Sequence, residues 1–261
     1  MQLKGKKILL TGATGGIGRA IAKALSDEGA ILILTARDNE QLIALKDSIG
    51  NQPHHILSLD LNNEQGRRKL ADVAEQEQVD ILINNAGVNR LSLLESTDDA
   101  EISQMMNTNL VVPMMLCREI VKMLRHRPES AIVNIGSIFG SIGYAGSASY
   151  CASKFGLRGF TEALRREVAD SSVKIIYFAP RATDTPLNSD KMNALNKALG
   201  NAVDSPEYVA QRLVKALHDD RPHSYFLGWP EAFFVRLNAL LPKLVDNALL
   251  KQLPVIRRFA Q

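Results

Sequence analysis

Short apolar runs alternate with longer amphipathic stretches along most of this chain. The runs are residues 7–11 (KILLT), 30–36 (AILILTA), 54–59, 80–84 (DILIN), 131–135, 173–179 (VKIIYFA) and 225–227. Runs of this length, bounded by turn residues, predict buried strands. The stretches between them repeat their apolar positions at helical spacing. In 17–28 the stripe is Ile17, Ile21, Ala24 and Leu25. Residues 38–50 start at a capping Asp38 and stop at Gly50. Helices are expected over 63–78, 97–125, 149–169, and from Asp204 or Ser205 to His218. The helix over 97–115 is expected to be capped near Ser96 or Thr97, and Pro113 to bend or break it before 113–125. Pro206 falls in the first turn of the 205–218 helix, where proline is tolerated. Residues 181–203 leave the pattern. Strands alternating with helices imply parallel βαβ units, so the fold class is α/β with a doubly wound parallel sheet. No repeat or low-complexity linker divides it.

Composition narrows this little. The 261 residues are 46% hydrophobic and 23% charged, ordinary for a soluble globular protein. The net charge of +3 argues against a general nucleic-acid binder. There are two cysteines, Cys117 and Cys151, without metal-ligand spacing, so no metal site or disulfide framework is expected. Cys151 reads as a packing residue, and His54 and His55 as surface or strand-end residues. The N-terminal apolar run is too short and too glycine-broken for a signal peptide. No window approaches the ~20 apolar residues of a membrane span. The expected compartment is the cytoplasm.

Two constellations carry chemistry. The first is TGATGGIG, with Gly12, Gly16 and Gly18 between a strand and a helix. Glycines there let the backbone approach a pyrophosphate at the positive end of the helix dipole. Arg37 follows the second strand, where an acid would bind ribose hydroxyls; an arginine suits a 2′-phosphate. That favours NADP(H). Taken singly, a bare tight turn and a solvated arginine read the same. Gly12, Arg37, Asp60 and Asn85 all fall at strand carboxyl ends, where ligands bind in such sheets. The second constellation is residues 136–154, GSIFGSIGYAGSASYCASK, holding Ser137, Tyr150 and Lys154. Tyr150 and Lys154 are one helical turn apart and would share a face. A nearby ammonium favours a phenolate, so the Tyr could exchange a proton with a substrate oxygen. A serine hydroxyl could hold that oxygen. Simple neighbours on a helix would show the same spacing.

Taken together, Thr11-Gly12-x-x-x-Gly16-x-Gly18, Asp60, Asn84-Asn85-Ala86-Gly87, Asn109, Ser137, Tyr150-x-x-x-Lys154 and Pro180 with Thr185 resemble the short-chain dehydrogenase/reductase family. The likeness covers residues 5 to about 218, in order and at family spacing. The resemblance implies a Rossmann-type enzyme using NAD(H) or NADP(H), dimeric or tetrameric. It implies Tyr150 as acid/base, Lys154 lowering its pKa and holding the nicotinamide ribose, Ser137 orienting the carbonyl, and Asn109 supporting a proton-relay water. Thr11, Gly12, Gly16, Ile17 and Gly18 would surround the pyrophosphate. Asp60 and Leu61 would meet the adenine, Asn85, Ala86 and Gly87 the adenosine ribose, and Thr185, beyond Pro180, the carboxamide. The reaction implied is NADPH-dependent carbonyl reduction, with NAD(P)+-dependent alcohol oxidation as the reverse alternative. A non-catalytic dinucleotide sensor or scaffold is the alternative of another class. An apolar, acyl- or lipid-like ketone is expected from Leu91, Leu93, Leu94, Ile138, Phe139 and Ile142 in the loops beside the site. The family usually follows its Pro180 with glycine; here Arg181 stands near the nicotinamide loop.

Residues 1–228 form the expected catalytic domain and 229–261 an amphipathic basic extension. Phe234, Leu237, Leu241, Leu244, Val245, Ala248 and Leu249 fall at helical steps, and Pro242 is expected to split them into two helices. Arg236, Lys243, Lys251, Arg257 and Arg258 outnumber Glu231 and Asp246, so the extension carries the chain's whole net charge of +3. It could pack on its own body or a sister subunit, cover the substrate cleft, or rest on an anionic membrane surface.

Overall fold

The computed structural model describes residues 1–219 and 224–260. Seven strands, β1 (Lys7–Thr11), β2 (Ile31–Ala36), β3 (His55–Ser58), β4 (Ile81–Asn84), β5 (Ser130–Ile135), β6 (Val173–Ala179) and β7 (Ser224–Phe226), form one parallel sheet. Their order is β3-β2-β1-β4-β5-β6-β7. Every residue of β4 and β5 is buried, as a strand covered on both faces must be. The chain builds outward from β1 to β3, then returns to pair β4 with β1. That reversal opens a crevice beyond the carboxyl ends of β1 and β4.

Eleven helices are introduced in chain order: α1 (Gly16–Asp27), α2 (Asn39–Ser48), α3 (Glu64–Gln76), α4 (Asp99–Met106), α5 (Val112–Leu124), α6 (Ala148–Glu167), α7 (Asp190–Leu199), α8 (Pro206–His218), α9 (Glu231–Leu240), α10 (Pro242–Leu250) and α11 (Leu253–Ala260). Strand side chains alternate between the two faces. Ile8 and Leu10 pack with Ile21, Leu25, Val209 and Leu213 of α1 and α8. Leu9 and Leu82 pack on the other face with Leu116, Ile120 and Leu164 of α5 and α6.

Several expectations need correcting. The cap of α4 is Asp98, whose carboxylate accepts from Glu101 N at 2.7 Å, not Ser96 or Thr97. Pro113 does not break the helical course. A π-helical turn, Asn107–Val111, precedes it, and α5 begins at Val112. Pro113 therefore sits in a first turn, where a missing N–H costs little. Residues 181–203 are not irregular throughout, since they contain α7, capped by Ser189 and ended by Gly200. Pro242 divides α9 from α10 as expected, and a third helix, α11, follows them. His54 is neither a surface nor an exposed strand-end residue. It is 2% exposed, and its Nδ1 accepts from Leu32 N at 3.1 Å. Burial holds its pKa below the usual histidine value.

Candidate active site

The site begins where β1 ends. Thr11 Oγ1 accepts from Asn85 N at 3.0 Å and Ala86 N at 3.1 Å. Asn85 Nδ2 donates back to Thr11 O and Gly12 O, each at 3.0 Å. These bonds draw the ends of β1 and β4 together. Gly12 has φ +62°, and a Cβ there would stand 2.7 Å from Ala86 Cα, so no other residue fits. A Cβ on Gly18 would lie 2.2 Å from Gly12 O, and one on Gly16 would lie 2.6 Å from Thr185 Cγ2. The glycines thus let α1 press against the turn and Thr185 lean over it. The N-cap of α1 is Gly15, which has no capping side chain. The first amides of α1 are left for a ligand at the positive end of its dipole.

A groove of about 730 Å³ runs from this turn across the crevice. Its lining includes Gly12, Gly16, Ile17 and Gly18 at the turn, and Arg37, Asp60 and Leu61 at one end. Asn85, Ala86, Gly87, Tyr150, Lys154 and Thr185 line the rest. Thr11, Asn109 and Pro180 lie beneath it, buried, and Ser137 stands half-buried beside it. The Arg37 side chain is exposed and has no protein partner among the described residues. The neighbouring acid is spent: Asp38 accepts from Gln41 N at 3.0 Å and Gln41 Nε2 at 2.8 Å, and those bonds hold its carboxyl below the usual range. A bare cation beside an occupied carboxylate suits a phosphate better than a ribose diol. The uncapped helix, the glycine cradle and Arg37 therefore fit a phosphorylated dinucleotide.

At the other end α6 presents Tyr150 and Lys154 from one face, both buried. Lys154 Nζ donates to Ile135 O at 2.9 Å and stands 5.8 Å from the Tyr150 ring centroid. Burial pushes the Tyr150 phenol up to about 12, against the pull of a hydrogen bond with Ser137. Burial also brings the Lys154 ammonium down to about 8. The sequence suggested that the ammonium would lower the phenol's pKa. Here the ammonium points at a carbonyl, and desolvation dominates. The result is a neutral phenol poised to donate.

Two residues that steady this site differ from expectation. Asn109, fully buried on the π-helical turn, accepts from Val88 N at 2.8 Å and donates to Val88 O at 2.9 Å and Ser153 Oγ at 3.1 Å. Its side chain is spent on clamping the loop after β4, so only its main chain is left to hold a relay water. Tyr177, missed by sequence reasoning, reaches across from β6. Its hydroxyl donates to Ser137 O at 3.1 Å and accepts from Ser137 N at 3.3 Å. A Cβ on Gly136 or Gly140 would collide with that ring at 2.1 Å. The glycines of the serine loop were the available signal that something large passes beneath.

Beside Tyr150 lies a buried apolar cluster partly built by the extension. Phe139 stacks on Tyr144 at 4.6 Å and sits edge-on to Tyr150 at 6.5 Å. Leu91, Tyr144, Met192, Leu195 and Ile256 form one buried cluster, with Leu93 and Phe139 packed against it. Leu93 N donates to Ala260 O, tying the loop after β4 to α11. Ile138 and Ile142 instead pack with Val235 and Val245, and Leu94 is exposed. Of the six expected apolar loop residues, Leu91, Leu93 and Phe139 thus belong to this core cluster, and Leu94 lines a small pocket with Tyr150. Arg181 turns away from the groove. Its guanidinium pairs with Asp204 at 2.7 Å and Glu231 at 3.1 Å. It anchors α9 and is not free for an anionic substrate.

A parallel sheet with its groove at the strand reversal is the architecture of dinucleotide-binding α/β proteins. The family model for short chain dehydrogenases matches residues 6–196. The 3-oxoacyl-acyl-carrier-protein reductase FabG of Vibrio cholerae is 35% identical, covering 90% of this chain and 94% of that one. Nodulation protein G of a Rhizobium species is 35% identical over 75% of this chain and 80% of its own. A short-chain dehydrogenase from Streptomyces avermitilis superposes with a TM-score of 0.81 at 27% identity, covering 98% of this chain and 99% of its own. The chain belongs to the short-chain dehydrogenase family of oxidoreductases.

Proposed function

We propose that this enzyme reduces an acyl-like ketone to an alcohol with NADPH. The observation that carries the reading is the meeting of Tyr150 and Lys154 in the lining of the groove, with Ser137 hydrogen-bonded to the Tyr150 phenol. The bound nicotinamide would supply the reducing equivalent to the carbonyl carbon. Ser137 holds the carbonyl oxygen, and Tyr150 gives that oxygen its proton. Lys154 holds the nearby ribose hydroxyls and compensates the phenolate left behind. Gly12, Gly16, Ile17 and Gly18 seat the pyrophosphate, and Thr11, from below, fixes the turn. Asp60 and Leu61 face the adenine, Asn85, Ala86 and Gly87 its ribose, and Arg37 the 2′-phosphate. Thr185 meets the carboxamide, with Pro180 setting its loop. The apolar cluster of Phe139 and Leu91 beside Tyr150, and the similarity to a 3-oxoacyl reductase, support an acyl ketone.

Three experiments test this. Tyr150→Phe is expected to cut turnover by about a hundredfold or more while cofactor affinity is kept. Unchanged turnover would refute the role given to Tyr150, and a wild type that binds cofactor but turns over no carbonyl would leave a sensor or scaffold as the better reading. In steady-state assays on a panel of 3-oxoacyl thioesters and small polar ketones, the thioesters are expected to win. Preference for polar carbonyls would remove the substrate class. The wild type is expected to prefer NADPH over NADH, and Arg37→Ala to raise the NADPH KM roughly tenfold without moving that for NADH. An equal effect on both cofactors would count against the phosphate role.

A further inference from the structure

The extension has two unlike faces. Inward, Val235 and Val245 are each 4% exposed, against Ile138 and Ile142. Outward, Trp229 is 75% exposed, Leu240 78% and Leu244 56%. Phe233 and Phe234 are exposed as well. Ring contacts of 5.7 Å and 5.9 Å join Trp229, Phe233 and Phe234 into one aromatic strip. Leu240, Leu241 and Leu244 are exposed where α9 gives way to α10. Contiguous apolar surface of this kind marks an interaction site.

Charge says what kind. Arg236, Lys243 and Lys251 are exposed among these residues, and none has a protein partner among the described residues. Of the two acids in the extension, Glu231 is already paired with Arg181. Apolar side chains with an exposed tryptophan and unpaired cations match the layered chemistry of an anionic bilayer: acyl boundary, headgroup level, phosphate. A second copy across a two-fold axis fits less well, because it would bring the same surplus of cations against itself. Interface cores are also depleted of charge.

We propose that the outer face of α9 and α10 docks on an anionic lipid bilayer surface. Phe233 and Leu240 enter the interface, and Arg236, Lys243 and Lys251 meet lipid phosphates. The contact is peripheral, since no helix among the described residues is long and apolar enough to cross a membrane. The docked segment runs on into α11, which packs in the apolar cluster beside Tyr150. A lipid-borne ketone would therefore be held close to the site. That corollary rests on the function proposed above; the docking does not.

Trp229 is the single tryptophan of the chain, so it reports on its own face. The full chain is titrated with phosphatidylcholine vesicles and with vesicles also containing phosphatidylglycerol, followed by flotation. The expected result is a blue shift of Trp229 emission and co-flotation with the anionic vesicles, both weakened by added salt. Phe233→Asp combined with Leu240→Asp is expected to abolish flotation while melting temperature and vesicle-free turnover stay at wild-type levels. Lys243→Glu and Lys251→Glu, each folded independently of that pair, should each weaken binding roughly fivefold. Absence of a blue shift with either vesicle overturns the proposal. So does equal binding to both vesicles, or a doubly substituted chain that still floats. A lipid-free dimer that buries Trp229 would overturn it too, and would assign the face to a second copy. Flotation needs no turnover, so failure of the ketone reading would leave this result standing.

Discussion

Lys154 is held under two opposing influences. Its Nζ has a carbonyl partner in Ile135 O at 2.9 Å, yet burial brings its pKa down to about 8 from an ordinary 10.5. Below pH 8 the folded protein keeps a charge that the unfolded chain would solvate freely. The difference corresponds to about 3 kcal/mol of stability forgone at neutral pH. Between pH 8 and 10.5 the unfolded chain binds more protons than the folded one, so this deficit shrinks as pH rises. Lys154→Met is therefore expected to abolish turnover and raise the melting temperature at pH 7. The gain should fade in melts repeated up to pH 10. A constant difference across that range would refute the desolvated ammonium. Tyr150 and Lys154 were legible in sequence because their pairing is a matter of helical spacing alone. Tyr177 was not. Its place under Ser137 follows from the β5–β6 register, which sets Asn134 beside Tyr177, and register is not written in either strand by itself.

Most elements with a local signal stand where expected, the Asp98 cap of α4 and helix α7 being the exceptions, and those whose signal depends on a partner do not. The strand runs and the Asp38 and Ser205 caps are local, and they stand where expected. Helix α7 carried a cap, a stop and apolar spacing at Met192, Leu195 and Leu199, but it lies within an otherwise loop-like stretch. Helix α11 is short and gains its burial only by packing on α7 and the loop after β4. Arg181 shows the same dependence. Its position in sequence pointed to the nicotinamide loop, whereas Asp204 and Glu231 lie far along the chain and turn it into an anchor for α9. Arg181→Ala would leave two carboxylates near one another, Asp204 being 8% exposed. The expected cost is about 3 kcal/mol, since breaking a largely buried pair strands a charge. Denaturant melts of Arg181→Ala and of the Arg181→Ala, Asp204→Asn double variant would check this. The double variant should recover part of the loss. No recovery would mean that the arginine acts by packing alone.

At the scale of the molecule, the two sheet faces were foreseeable from alternation within the strands, while the relation between body and extension was not. The expected stripe is divided: Phe234, Leu241 and Leu244 face solvent, Val245 is buried with Leu237 and Leu249 packed beside it, and the other buried positions are Val235, Ile256 and Ala260. Periodicity finds that a helix is two-faced but cannot tell which face the body will cover when both are apolar. The covered face completes the core of the substrate side: Ile138 and Ile142 have Val235 and Val245 as partners, and Leu91 and Tyr144 have Ile256. A chain ended after Gly228 would present those side chains to water. At roughly 1.5–3 kcal/mol for each fully re-exposed apolar side chain, the loss is comparable to the 5–15 kcal/mol that holds an ordinary domain together. The truncated chain is thus expected to aggregate or to melt far below the full chain, although its groove residues are untouched in sequence. Substitutions on the outer face of α9 should leave the melting point where it is. Thermal melts of both proteins side by side decide the matter. A truncated chain as stable as the whole would show that residues 1–228 stand alone and that the extension only rests on them.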